Sequence, residues 1–196
     1  MKRMMPYQKG LCRPLDPNMR YDVVHTRQFP EHGFSISLRP LCLSCDAPLL
    51  HHWVKREYSR PPGKHFIPYT EIIQTLTYTA LSDFAQVFTG IGDANQPLCE
   101  VQIFRAEQDD ELGINKLAAR GDYVLHLMRG LATQEEYQAV IQTCVEYFLQ
   151  HEEVKRILAL VDEENECDNK AIKKAGFSLL AKIPGSYKTC NLYVYP

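Results

Sequence analysis

The chain predicts an α+β fold, a mixed central sheet flanked by helices, and three observations carry that prediction. An apolar strand, an amphipathic helix, a second apolar strand and a short helix follow one another between Gly121 and Phe177. Upstream, two strand-like runs are joined by Gly92-Asp93-Ala94-Asn95-Gln96-Pro97, a hairpin by its turn chemistry. The first unit requires parallel strands and the hairpin antiparallel ones, so one sheet contains both.

In chain order, residues 1 to 32 hold Pro6, Pro14, Pro17 and Pro30 with little periodicity, which predicts an irregular N-terminal arm and leaves 33–196 as a single domain. Phe34-Ser35-Ile36-Ser37-Leu38 alternates cleanly and gives the first strand. Residues 46–58, with Leu49, Leu50 and Trp53, give a first helix ended by Arg60-Pro61-Pro62-Gly63; a second follows Thr70 and contains Ile72, Ile73 and Leu76. Residues 84–89 and 98–104 are the hairpin strands. Tyr123-Val124-Leu125-His126-Leu127-Met128 is apolar on both sides of one histidine, and Gly130 closes it.

The next helix is the best specified. Tyr137, Val140, Ile141, Cys144, Val145, Phe148 and Leu149 form one apolar stripe, and Thr133 with Glu136 reads as a capping box, so the helix starts at Gln134. Arg156-Ile157-Leu158-Ala159-Leu160-Val161 is a short buried strand; Asp162 to Asn165 turns into a last helix that stops at Gly176. A right-handed crossover between the two strands places His126 and Asp162 on neighbours.

Composition excludes several classes. With 24 acidic against 22 basic residues, the formal net charge of −2 offers no footprint for nucleic acid. No eighteen apolar residues run together, and Met1-Lys2-Arg3-Met4-Met5-Pro6 has no apolar stretch fit for a signal peptide, which points to a cytoplasmic protein with no membrane partner. Seven cysteines are scattered through predicted elements, as reduced and mostly buried thiols are. Cys42 and Cys45 with His51 and His52 have a spacing suggestive of zinc, but the segment reads as strand end and helix and no second ligand pair follows, so no metal site is expected.

Several short motifs, taken in order, resemble a known family. They are Ser37-Leu38-Arg39-Pro40, Asp46, His52-Trp53-Val54, Phe88 with Gly90, Pro97 with Glu100 and Val101, Gly121-Asp122, Leu125-His126-Leu127-Met128, Asp162 three residues before Asn165, Gly176-Phe177, and Lys188 after Ile183-Pro184. Their order and spacing resemble the acyl-CoA N-acyltransferases of the GNAT superfamily, and within them the branch that acylates N-hydroxylated amines in hydroxamate siderophore biosynthesis. The resemblance covers nearly the whole chain after Phe34. It implies the GNAT fold and transfer of an acyl group from acetyl-CoA or another acyl-CoA to a small-molecule amine or hydroxylamine such as hydroxylysine or hydroxyornithine. It further implies His126 and Asp162 as catalytic residues, the acid orienting the imidazole or holding the substrate hydroxyl. Leu127, Met128, Arg129, Gly130, Thr133 and Asn165 would contact coenzyme A; Trp53, Glu100, Asp122 and Lys188 would contact the acceptor.

The chemistry suits those residue types. A thioester carbonyl needs a deprotonated nitrogen beside it, and a histidine with an ordinary pKa of about 6.5 can take that proton at neutral pH. Positioning should supply more of the acceleration, about 7 to 11 kcal/mol, than a base contributing about 10²- to 10⁴-fold.

One departure stands out. The superfamily holds the pyrophosphate on a glycine-containing loop at the start of the helix after the histidine strand, whereas Gly130-Leu131-Ala132-Thr133-Gln134-Glu135-Glu136 has one glycine and two glutamates. A phosphate about 4 Å from a carboxylate meets repulsion of roughly 1 to 4 kcal/mol. Either Arg129, Lys155 or another base compensates, or the chain is a GNAT-like protein with a degenerate coenzyme A site that acts as a non-catalytic accessory or small-molecule-binding protein. A third reading is acetylation of an ordinary amine such as a polyamine or aminoglycoside. Plainer uses exist for each residue: a core histidine, a turn-capping Asp162, a solvated Lys188, a core Cys144, and packing for Trp53, Tyr187, Tyr193 and Tyr195.

Overall fold

A computed structural model describes residues 16–58, 68–109, 111–185 and 188–196. The chain runs β1 (His25–Phe29), β2 (Phe34–Pro40), α1 (Leu43–Tyr58), α2 (Tyr69–Leu81), β3 (Ala85–Ile91), β4 (Pro97–Arg105), β5 (Asp122–Arg129), α3 (Gln134–Phe148), β6 (Arg156–Asp162), α4 (Glu166–Lys174), β7 (Ser178–Pro184) and β8 (Thr189–Tyr195), with 3-10 turns at Asp93–Asn95, Ala106–Gln108 and Glu111–Lys116. The strands form one sheet in the order β1-β2-β3-β4-β5-β6-β8-β7. Among the described strands only the β5/β6 pair is parallel, and α3 is the crossover that joins it.

Alternation of side chains across the strands splits the interior in two. Val101 and Ile103 of β4 and Tyr123 and Leu125 of β5 face α3 and α4, where they meet Tyr137, Val140, Ile141, Cys144 and Phe148 of the predicted stripe. Burying each such side chain contributes about 1.5 to 3 kcal/mol. On the opposite face, Leu50 and Trp53 of α1 and Ile72 and Leu76 of α2 pack on Val87, while Ala106 and Ile114 of the 3-10 turns pack on Val124, Leu158 and Leu192. The capping box forms as read: Glu136 N–H donates to Thr133 Oγ1 at 3.2 Å and Thr133 N–H to Glu136 Oε2 at 2.8 Å. Gly176 follows α4 with φ +103°, a left-handed turn that glycine adopts without steric cost.

Two elements differ from the sequence reading. The expected irregular arm contains β1, antiparallel to β2 from His25↔Leu38 to Phe29↔Phe34. His-Thr-Arg-Gln-Phe is short and largely polar, as suits an edge strand, so it carried little apolar alternation. Residues 1–15 of that arm, the loop at Arg60-Pro61-Pro62-Gly63 and Tyr187 lie outside the described residues. Helix α1 begins at Leu43 rather than Asp46, because Asp46 ties its first turn to the sheet. The Asp46 carboxylate accepts from Arg39 at 2.6 and 2.8 Å, from Cys42 N–H at 2.9 Å and from Thr89 Oγ1 at 3.0 Å.

Candidate active site

The site is set by a limit of sheet pairing. The β5/β6 ladder runs from Asp122↔Arg156 to Leu125↔Ala159 and stops, whereas β5 keeps its partner β4 as far as Arg129↔Cys99 and β6 keeps β8 as far as Asp162↔Cys190. The two parallel strands therefore part after Leu125. Gly130 N–H donates to Leu98 C=O at 2.9 Å, which fixes the phase of the antiparallel ladder: His126 and Met128 direct their main-chain groups at β4, and Leu127 and Arg129 direct theirs into the opening. The Met128 side chain packs against the α1/α2 cluster and the Leu127 side chain against the α3/α4 core.

His126 stands at the first position past the split. Its Nε2 lies 2.7 Å from Asp109 Oδ2, with side-chain exposures of 28% and 8%, so the ring is reachable while its partner is covered. Asp109 follows the Ala106–Gln108 turn and is held by its own main chain: its N–H donates to Ala106 C=O at 3.2 Å and its C=O accepts from Asn115 N–H at 2.9 Å. Sequence reasoning missed Asp109. The only signal was a run of three adjacent acids, Asp109-Asp110-Glu111, in a stretch without periodicity.

Asp162 sits elsewhere. Its carboxylate accepts the Glu164 N–H at 3.0 Å and lies 3.5 Å from Lys188 Nζ. The strands separate three residues before it, so the expected pairing of His126 with Asp162 is replaced by His126 with Asp109. Asp162 and Lys188 form one exposed pair. Asn165 caps α4, its Oδ1 accepting Asp168 N–H at 3.2 Å. Asn169, which the sequence did not single out, braces this end of β6: it donates to Asp162 C=O and accepts from Asn191 and from the hydroxyl of buried Tyr193.

On β4, Gln102 lies opposite His126 and Glu100 opposite Met128. Glu100 is 3% exposed. Burial pushes its pKa up to about 7, against the opposing pull of the Gln102 amide and of His126. Glu100 and His126 thus share one face of the sheet.

Other expected contacts resolve into structural roles. Asp122 is at the far end of β5, where Arg156 donates to both its oxygens at 2.8 and 2.6 Å and Ala119 N–H at 2.8 Å. Burial alone would raise its pKa, but the Arg156 guanidinium outweighs it and holds the carboxyl below its usual range. This ion pair clamps the paired end of β5/β6, four residues along the strand from His126. Lys155 is at the same far end, its side chain against Gly121, and so does not serve the loop at Gly130. Trp53 is buried beneath that loop: a Cβ on Gly130 would fall 2.3 to 2.5 Å from three indole carbons, and Trp53 Nε1 has no hydrogen-bond partner among the described residues. Only glycine permits this approach.

Arg129 lies across the start of α3. It donates to Ala132 C=O and to Gln134 Oε1, each at 3.0 Å, and its guanidinium is 5.5 Å from the Tyr137 ring centroid. The N–H groups of Leu131, Ala132, Gln134 and Glu135 have no partner among the described residues, so the turn that follows β5 is electropositive. No group of three or more His, Cys, Asp or Glu among the described residues could hold a metal ion, and His51 instead stands edge-on to Tyr69 at 5.2 Å. No helix among the described residues is long and apolar enough to cross a membrane.

Comparison with known proteins bears on this arrangement. A search of curated proteins finds no match. Among solved structures, the chain is similar to an uncharacterized protein from Bacillus halodurans, at 19% identity and TM-score 0.73 over 91% of each chain. It is similar to the aminoglycoside acetyltransferase AAC(6')-Ib, solved in complex with coenzyme A, at 14% identity and TM-score 0.70 over 82% of this chain and 94% of that one. It is also similar to RimL, a ribosomal L7/L12 alpha-N-protein acetyltransferase in complex with coenzyme A, at 15% identity and TM-score 0.63 over 82% and 93%. At these identities the likenesses show the fold. The model of the acetyltransferase (GNAT) domain matches residues 43–184, a span that holds both walls of the β5/β6 opening and the His126–Asp109 pair, and the chain belongs to the GNAT acetyltransferase family.

Proposed function

We propose that the protein transfers an acyl group from acyl-CoA to the nitrogen of a small N-hydroxylated amine, an acylation step of hydroxamate siderophore biosynthesis. The observation that carries this reading is the His126–Asp109 pair standing where β5 and β6 part.

The residues at the opening fit coenzyme A. Main-chain groups of Leu127 and Arg129 face it, and the unpartnered amides at the start of α3 offer an anion site beside the Arg129 guanidinium. The Glu136 carboxylate is turned back onto Thr133 N–H, and Glu135 is exposed and can point to solvent. The acidic first turn therefore does not by itself exclude a phosphate, which supports the catalytic reading over the non-catalytic one.

When bound, the acyl-CoA supplies the thioester carbonyl carbon that the acceptor nitrogen attacks. The Asp109 carboxylate accepts Nε2–H of His126, which fixes the tautomer with its lone pair on Nδ1. Nδ1 takes the N–H proton as the N–C bond forms, and Asp109 stabilises the resulting imidazolium. Leu127 N–H, aimed into the opening, donates to the carbonyl oxygen as negative charge grows there. His126 then gives its proton to the departing sulfur. A hydroxylamine nitrogen is uncharged at neutral pH, so it presents a free lone pair beside His126 without first losing a proton.

The test is thiol release from acetyl-CoA and succinyl-CoA with N-hydroxylysine, N-hydroxyornithine, their parent amines and kanamycin. The hydroxylated acceptors should lead by about tenfold or more in kcat/KM, and His126→Ala should lower kcat by roughly 10²- to 10⁴-fold. Preference for a parent amine or kanamycin would reject the hydroxylamine assignment, and release with none would reject the transfer.

A further inference from the structure

The sheet face that carries His126 continues away from it as a strip of aromatic side chains. Phe104 stands edge-on to the imidazole with centroids 5.1 Å apart, Phe84 lies 6.2 Å beyond Phe104, and Tyr78 of α2 lies 6.1 Å beyond Phe84. Phe84 and Phe104 are half-buried, Tyr78 is 69% exposed, and Leu81, one turn along the same face of α2, is 60% exposed. None of these four residues belongs to the buried clusters that build the domain. Scattered exposed apolar residues are ordinary, but a contiguous run that ends on a reactive imidazole is not accounted for by packing.

We infer that this strip is the acceptor wall, and that it takes an amine or hydroxylamine whose reacting nitrogen ends an extended apolar stem, alkyl or aryl, rather than a polyhydroxylated sugar. The inference rests on His126 being the group that meets the nitrogen. With the nitrogen at His126, a stem runs over Phe104 and Phe84 and reaches Tyr78 and Leu81 only if it is long. The strip therefore measures stem length. A sugar laid on Phe104 and Phe84 would lose hydrogen bonds to water that neither ring can return.

The test uses the full chain and n-alkylamines from propyl to octyl, with glucosamine as contrast, and reads affinity by calorimetry or ligand-observed NMR in the absence of acyl-CoA. Each methylene that lies on one side against the strip should tighten binding about twofold, half the gain of full burial, and glucosamine should bind no tighter than propylamine. Tyr78→Ala, an exposed substitution that leaves the core intact, should leave short amines unaffected and remove the gain for the longest; Phe84→Ala should remove it at shorter stems. In acyl transfer, Tyr78→Ala should raise KM for long-stemmed acceptors and leave kcat and acetyl-CoA affinity unchanged. Affinity independent of stem length, or an equal length dependence in both variants and the parent, would overturn the inference. Length-dependent binding without acyl transfer to any amine would uphold the strip and reject the transferase reading, and transfer without length dependence would do the reverse.

Discussion

Replacing Glu100 by glutamine should stabilise the protein in a pH-dependent way, and the size of the effect follows from burial. Glu100 is buried on β4 with a pKa raised from 4.5 to about 7, chiefly by desolvation. Because the folded-state pKa is the higher, the folded protein binds more protons than the unfolded chain between the two values. Stability is therefore full below about pH 4.5 and falls as pH rises through 7. At about 1.36 kcal/mol per pKa unit, the ionised carboxylate costs roughly 3 kcal/mol by pH 8. Glutamine keeps an oxygen for the Gln102 amide and carries no charge. Glu100→Gln should match the parent near pH 4 and exceed it by about 3 kcal/mol at pH 8, a rise of about 6 to 12 °C in Tm for a chain of this size. Paired melts by circular dichroism across pH 4 to 8 isolate the term, because the other carboxylates, Asp122 included, cancel in the difference. A gap that is constant with pH, or a variant less stable at pH 8, would refute the reasoning and place an unrecognised cation at Glu100.

Asp109→Asn replaces a charge-assisted hydrogen bond worth about 1.5 to 3 kcal/mol with a neutral one and should lower kcat about 10- to 150-fold. Asp162→Asn in the same thiol-release assay should stay within about threefold. Gly130→Ala drives a methyl into the Trp53 indole and should cost about 1 to 3 kcal/mol in a denaturant melt; combining it with Trp53→Phe, which deletes the contacting ring atoms, should recover part of the loss. Asp46→Ala strands the buried Arg39 guanidinium and should destabilise by about 3 to 5 kcal/mol, while Asp46→Asn, which still accepts from the Cys42 amide, should lose less.

The legible parts of this protein were those written in local chemistry. The Thr133/Glu136 capping box placed the start of α3 to the residue, and the apolar flanks of His126 placed β5 with its histidine on a rigid element. The right-handed crossover correctly set β5 beside β6. What the sequence did not disclose depends on where paired strands end. Ladder length depends on how far two strands stay within hydrogen-bond reach, a property of the assembled sheet, so the split after Leu125 left no mark in residues 125–129. That split separates His126 from Asp162. The true partner, Asp109, reaches His126 only because the connection from β4 to β5 folds back in 3-10 turns of no recognisable period. Trp53 was read as an acceptor contact from its motif, yet its indole underlies Gly130, a contact between segments far apart in sequence. β1 went unseen because a short polar edge strand needs only one buried residue, Phe29, to hold it.

Titration of the purified protein with acetyl-CoA by calorimetry bears most directly on the proposed activity, because the opening between β5 and β6 and the turn at Arg129 have no other assigned use. Saturable binding with a micromolar Kd, about −8 kcal/mol, is the predicted result, and Arg129→Ala should weaken it. No heat of binding up to about 1 mM, an affinity weaker than roughly −4 kcal/mol, would contradict an acyl-CoA-dependent transferase and leave the fold to a non-catalytic role.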